Sequence, residues 1–269
     1  LHKLNYDKIE SVIKFGMNDK DGSVRTTSIG LLNELEISKE NLPGIVDPIF
    51  AKGTIQEQQQ MLRVLGEMPL EKSEPVLENL IDQLAGKKLS PGLKLDLIEA
   101  VDPTHWEKLI IKLTPLPNTG NDADAFSETL YGGNARNGRN IFMYNSTAQC
   151  VRCHTMGDEG GTVGPSLRGI GAALGREELL QALVAPSVRL APGFGSVKIT
   201  FKDNQEVTGI LLKETSSELI LKTAEAEPME IPVSRISKRQ NLPSGMPPMG
   251  TLLSKREIRD VIEFLANQK

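Results

Sequence analysis

Two kinds of hydrophobic periodicity divide this chain of 269 residues. In the first half, apolar residues recur at helical spacing, and three similar segments begin at Leu31, Val64 and Leu97, 33 residues apart. Gly53 and Gly86, which end two other apolar segments, keep the same spacing. Paired amphipathic helices at such an interval are typical of an α-solenoid. The pattern predicts HEAT-like repeats over residues 1–131, with an irregular helical bundle as the alternative.

The second half, residues 132–269, has a different pattern. Short helices are predicted over 137–144 and 176–185, separated by an irregular glycine-rich stretch. Between about residues 195 and 236, apolar residues alternate with polar ones, which predicts four or five short antiparallel strands. A Pro-, Gly- and Asn-rich linker over 114–122 precedes this half.

A last helix is predicted to begin after Ser254. Ser254 is a suitable N-cap, and Glu257 at the third helical position completes a capping box. The apolar residues that follow at helical spacing form its buried stripe: Ile258, Val261, Ile262 and Leu265. The whole chain is therefore predicted to be mainly α, with an α-solenoid followed by an all-α domain that carries a small antiparallel β insert.

The composition argues against two kinds of interaction, nucleic-acid binding and membrane spanning. The formal net charge is −4, and only 4% of the residues are aromatic. We therefore expect no nucleic-acid binding, which needs basic or aromatic surfaces. No stretch of about 18 apolar residues is present, so no membrane span is expected in this chain.

The only two cysteines lie in one motif, Cys150-Val151-Arg152-Cys153-His154. Two cysteines in an exported protein can form a disulfide, but Cys-x-x-Cys-His is also the attachment pattern of a c-type haem. Two thiols at this spacing bind the two vinyl groups of one porphyrin, and the adjacent His154 is then the proximal iron ligand. The motif favours one haem c, attached through Cys150 and Cys153. Haem attachment of this kind takes place outside the cytoplasm, so we expect a periplasmic or otherwise exported protein.

The flanking residues resemble those of class I cytochromes c. A helix with an aromatic residue at Phe142 precedes the motif, a Gly-Pro-x-Leu-x-Gly loop follows at 164–169, and Met246-Pro247 precedes the last helix. The segments 180–187 and 191–194 are similar to a haem-binding domain family described from planctomycete and verrucomicrobial bacteria. The resemblance covers about residues 132–269, and in that family the module commonly follows HEAT-like repeats and often a sugar-dehydrogenase-like propeller.

The resemblance implies roles for three further residues. The carbonyl of Pro165 accepts a hydrogen bond from His154, which orients the imidazole and raises its basicity. Met246 is the expected sixth iron ligand, with Met249 as the alternative, because both lie in Gly245-Met246-Pro247-Pro248-Met249-Gly250. A thioether ligand stabilises the ferrous state.

The leading functional hypothesis is electron transfer, without catalysis by this chain itself. The haem module would accept electrons from a redox protein, such as a sugar or alcohol dehydrogenase domain. The alternatives are a haem enzyme or gas or redox sensor with a labile sixth ligand, and an interaction protein in which the repeats matter most.

Overall fold

A computed structural model describes residues 8–101, 113 and 122–269. The chain divides into two compact units, Leu1–Asn118 and Thr119–Lys269. The division falls earlier than the 131/132 boundary expected from sequence, because a 3-10 helix over Asp122–Thr129 packs on helices of the second unit. Except for Asp122, the predicted linker over 114–122 lies outside the described residues.

The described part of the first unit is helical. Its α-helices are α1 (Ile9–Met17), α2 (Gly22–Leu31), α3 (Leu42–Lys52), α4 (Ile55–Glu67), α5 (Leu70–Ala85) and α6 (Lys94–Ala100), with 3-10 turns at Leu32–Glu34 and Pro91–Leu93. The odd-numbered helices pack on one another in sequence, the even-numbered helices do the same, and each odd helix packs on the even helix that follows it. The helix pairs therefore stack in two layers.

The 33-residue spacing has a physical counterpart in this stack. Ile29, Leu62 and Leu95 occupy equivalent places, and each is at most 1% exposed. Polar side chains also join neighbouring repeats. Four such contacts link residues 32 to 34 positions apart: Arg25 with Glu57, Asn33 with Glu67, Gln59 with the Gly92 carbonyl, and Gln60 with the Thr26 carbonyl. Each repeat thus contacts the next through both buried apolar residues and polar side chains.

The second unit contains short helices around one apolar core. They are α7 (Ala135–Tyr144), α8 (Cys150–Cys153), α9 (Ile170–Ala173), α10 (Arg176–Val184) and α11 (Lys255–Ala266), with a 3-10 turn at Met249–Thr251. The capping box of α11 is confirmed, since Ser254 and Glu257 make both of its hydrogen bonds. The predicted stripe of α11 is also buried: Ile258, Val261, Ile262 and Leu265 are at most 5% exposed.

Two antiparallel sheets complete this unit. A hairpin is formed by β1 (Thr155–Met156) and β2 (Glu159–Gly160). The larger sheet contains β3 (Ser196–Phe201), β4 (Glu206–Glu214), β5 (Glu218–Lys222), β6 (Met229–Pro232) and β7 (Ile236–Asn241), in the order β6-β5-β4-β3-β7. A 3-10 turn at Val233–Arg235 returns the chain so that β7 pairs with β3.

The expectation of a mainly α chain, with an all-α second domain and a small β insert, is wrong. About 52% of the described residues are helical, and the rest include a five-stranded and a two-stranded sheet, so the fold is mixed α and β. The larger sheet is a structural layer in its own right because it buries a separate apolar core. That core contains Val197, Ile199, Phe201, Leu211, Leu219, Leu221 and Ile231.

The sheet also extends past the predicted end at 236. Strand β7 runs to Asn241, and most of its residues are polar and exposed. Its place in the sheet comes from backbone pairing with β3, from Val197 opposite Asn241 to Phe201 opposite Ile236. A charged edge strand of this kind lacks the alternation by which the other strands were predicted.

Candidate functional site

The frame of the candidate site is the crossing of α7 and α11. A Cβ atom added to Gly138 would lie 1.9 Å from the Asp260 carbonyl oxygen, so the two backbones touch at a position where only glycine fits. Phe142 is 1% exposed, and its ring centroid lies 5.7 Å from that of Phe264. The side chain of Asn134 caps α7 by accepting hydrogen bonds from two N–H groups of its first turn. This crossing brings the chain before the cysteine motif against the last helix.

The cysteine motif forms a single helical turn. Gln149 begins the turn in the left-handed region, with φ 47°, and His154 ends it by donating its N–H to the Cys150 carbonyl over 3.0 Å. Both cysteines are free thiols, so the disulfide alternative is not formed in this structure. Cys150 is buried and Cys153 is exposed, and burial raises the pKa of the Cys150 thiol.

The glycine-rich stretch that follows is hydrogen-bonded along this turn. The N–H groups of Gly161 and Gly164 donate to the carbonyls of Val151 and Cys153 over 2.9 and 2.7 Å. A Cβ atom at Gly161 would lie 1.9 Å from the Arg152 carbonyl oxygen. Residues 161–165 of the predicted irregular stretch, here named the strap, therefore lie against the cysteine turn. Their backbone contacts hold the turn in place.

His154 is oriented by the same strap. Its Nδ1 lies 2.9 Å from the carbonyl oxygen of Pro165. A carbonyl can only accept, so Nδ1 carries a hydrogen, and in the neutral imidazole Nε2 then has the lone pair that can bind a metal. A Cβ atom at Gly164 would lie 2.7 Å from Cε1 of His154, so the absence of a side chain there leaves room for the imidazole.

The two candidate methionines have different surroundings. Met249 is 3% exposed and belongs to the apolar core of the unit, where it begins the 3-10 turn before α11. Met246 is only partly buried, and it packs against the same core from the irregular segment before that turn. Its N–H donates to the hydroxyl of Ser244 over 3.1 Å. Met249 thus has a packing role, whereas the Met246 side chain is the more accessible of the two.

Three side chains that hold the Met246 segment were not predicted from the sequence: Ser187, Asn241 and Ser244. Asn241 contacts Ser187 across 54 positions and Ser244 contacts Ser187 across 57, and no periodic pattern indicates contacts at such distances along the chain. The one sequence signal is the Pro186-Ser187 pair in the turn after α10.

Comparison with known proteins adds no assignment, since no protein-family model and no curated protein matches this chain. In the part of the chain that the structure describes, no helix is both long and apolar enough to traverse a bilayer.

Proposed function

We propose that the second unit is a c-type cytochrome module that transfers electrons through one haem. The haem would be bound covalently through Cys150 and Cys153 and ligated by His154 and Met246. The observation that carries the proposal is the hydrogen bond from His154 Nδ1 to the Pro165 carbonyl beside two free thiols. That bond fixes the tautomer in which Nε2 can ligate a metal.

The residues present fit such a group. The thiols of Cys150 and Cys153 stand on one helical turn, and the following residue is the oriented imidazole. The motif is fixed by backbone hydrogen bonds and needs no side chain from the strap. When bound, haem c supplies an iron centre that exchanges single electrons with a partner.

The other residues of the unit keep this site ordered and dry. The buried side chains of Phe142, Leu179 and Leu183 belong to the apolar core that Met246 contacts. Such a core excludes water, which favours a stable ligand set and influences the reduction potential.

The proposed partner is a redox protein, with a sugar or alcohol dehydrogenase domain as the specific candidate, and the proposed location is the periplasm or another exported compartment. These proposals follow from the Cys-x-x-Cys-His motif and the family resemblance. The stacked helix pairs of the first unit are proposed to act as a scaffold, since repeats of this kind offer extended binding surfaces.

The test is to express the full chain with a c-type maturation system. We expect haem that survives denaturing electrophoresis, a low-spin reduced spectrum that carbon monoxide does not change, and a one-electron redox titration. The matched control is the Cys150→Ala/Cys153→Ala double variant, which should lose covalent haem. A folded wild-type chain without covalent haem would refute the proposal. A high-spin ferric spectrum with rapid carbon monoxide binding would favour a haem enzyme or sensor instead.

A further inference from the structure

The segment that carries Met246 has few backbone donors of its own. Residues 242–248, named the Met loop, contain three prolines, which lack an N–H group. The prolines therefore disfavour a regular helix or strand in this loop. Its position depends on where the remaining N–H groups of Leu242, Ser244, Gly245 and Met246 find acceptors.

Two serine hydroxyls supply two of these acceptors. The N–H of Ser244 donates to Oγ of Ser187 over 3.0 Å, and the N–H of Met246 donates to Oγ of Ser244 over 3.1 Å. Through Ser244, the two hydrogen bonds form a relay of two steps from the turn after α10 to the backbone of Met246. Both serines are partly buried, which limits replacement of these bonds by water.

The sheet fixes the other end of the relay. Asn241, the last residue of β7, donates from Nδ2 to the carbonyls of Ser187 and Val188, each over 2.8 Å. The N–H of Leu242 donates to the Ser196 carbonyl over 2.9 Å. The chain after α10, the end of β7 and the Met loop are consequently joined around Ser187.

We infer that Ser187 and Ser244, anchored by Asn241, are positioning residues for the sixth ligand. They fix the backbone of Met246 and so determine how firmly its thioether occupies the ligand position. The larger sheet then serves to anchor the Met loop through Asn241 and Leu242. This inference rests on the proposed function, because Met246 is a ligand only if the haem is bound.

The test is competition by added imidazole, which displaces a methionine ligand and changes the visible spectrum. In holoprotein carrying Ser187→Ala or Ser244→Ala, we expect the dissociation constant for imidazole to fall roughly fivefold, because one hydrogen bond to the loop is lost. Ser187→Thr keeps a hydroxyl and should restore the wild-type value. Ser237→Ala, at an exposed serine of β7, is the control and should change nothing.

A double-mutant cycle tests whether the two serines act as a relay. The Ser187→Ala/Ser244→Ala variant should lower the dissociation constant by less than the product of the two single effects. Wild-type imidazole affinity in both single variants, or an equal change in Ser237→Ala, would overturn the inference.

Hydrogen exchange separates this inference from the proposed function. The amide of Met246 should be protected in the wild type and should exchange faster in Ser244→Ala, whether or not haem is bound. Covalent haem with unchanged Met246 exchange would refute the relay alone. Absence of haem with faster exchange in Ser244→Ala would refute the proposed function and retain the structural relay.

Discussion

The two segments that carry the candidate iron ligands are held in different ways. His154 is fixed by main-chain groups, since its ring contacts the Pro165 carbonyl and its turn is bound by the N–H groups of Gly161 and Gly164. Met246 is held through the hydroxyls of Ser187 and Ser244. The histidine segment therefore depends on backbone shape, whereas the methionine segment depends on side chains that single substitutions can remove.

The two segments should therefore respond to different substitutions. A side chain added at Gly161 or Gly164 should displace the histidine segment, because its backbone atoms are already in contact. Loss of a hydroxyl should loosen the methionine segment without affecting the histidine segment. Under the proposed function, the strength of ligation by Met246 would then vary while the attachment cysteines stay unchanged.

The largest effect is expected for Gly161→Ala. Its Cβ would lie 1.9 Å from the Arg152 carbonyl oxygen, so the strap must separate from the cysteine turn. We expect a loss of about 4 kcal/mol in the free energy of unfolding, measured by urea denaturation of the holoprotein. Gly245→Ala in the Met loop is the matched control, since a Cβ there meets no atom within 4 Å. Equal stability of the two variants would contradict the account of the strap.

Substitutions of Met249 and Met246 should have different effects, the first mainly on stability and the second mainly on iron ligation. Met249→Ala removes a side chain that is 3% exposed and should cost about 3 kcal/mol of unfolding free energy, while the spectrum of a methionine-ligated haem persists. Met246→Ala should cost less stability and abolish that spectrum. Denaturation curves and visible spectra of both variants check this. Loss of the methionine spectrum in Met249→Ala alone would reverse the ligand assignment.

A smaller effect is expected for Pro165→Ala. The acceptor for His154 is a main-chain carbonyl, which alanine also provides. We expect less than about 1 kcal/mol of lost stability, arising from the greater freedom of the unfolded chain, and no change in the reduced spectrum. A larger spectral change in Pro165→Ala than in Ser244→Ala would show that the histidine segment also depends on side chains.

The smallest effect is expected for Asp260, which lies at the crossing of α7 and α11. Burial raises the pKa of Asp260 above 3.8, although its carboxylate accepts a hydrogen bond from the Asn134 N–H. The folded state therefore keeps this proton to a higher pH than the unfolded state does. As pH rises from 3.8 through the raised pKa, the carboxyl should reduce stability.

Thermal unfolding over this pH range checks the effect. The melting temperature of the wild type, relative to Asp260→Asn, should fall as pH rises and then become constant. Asp158→Asn, at an exposed position in the β1–β2 hairpin, is the control. A wild-type advantage that grows with pH would show that the hydrogen bond from Asn134 outweighs burial.

Local sequence patterns predicted the parts of the fold that local forces determine. The capping box of Ser254 and Glu257, the buried stripe of α11 and the strand alternation of β3 each appear within a few residues. The contact between His154 and Pro165 was expected from a family resemblance, since spacing alone does not specify which carbonyl approaches the ring.

The features that sequence did not predict depend on distant backbone pairing. Strand β7 is polar, and its place comes from hydrogen bonds to β3, whose residues lie about 40 positions earlier. The contact between Ser187 and Ser244 spans 57 positions and involves two residue types that are common on surfaces. The weight of the sheet in the fold class was underestimated because alternation predicted the strands but not the separate apolar core that they bury.

The apolar and polar contacts between repeats of the first unit constrain the chain differently. Ile29, Leu62 and Leu95 recur at an interval of 33 residues, so adding or removing a few residues between them would turn an apolar stripe away from its neighbour. The polar pairs Arg25–Glu57 and Asn33–Glu67 do not recur, because Gln58 and Ser90, and Gly66 and Ala100, stand one interval further on. The apolar positions therefore determine the spacing of the repeats, whereas the polar pairs determine their order.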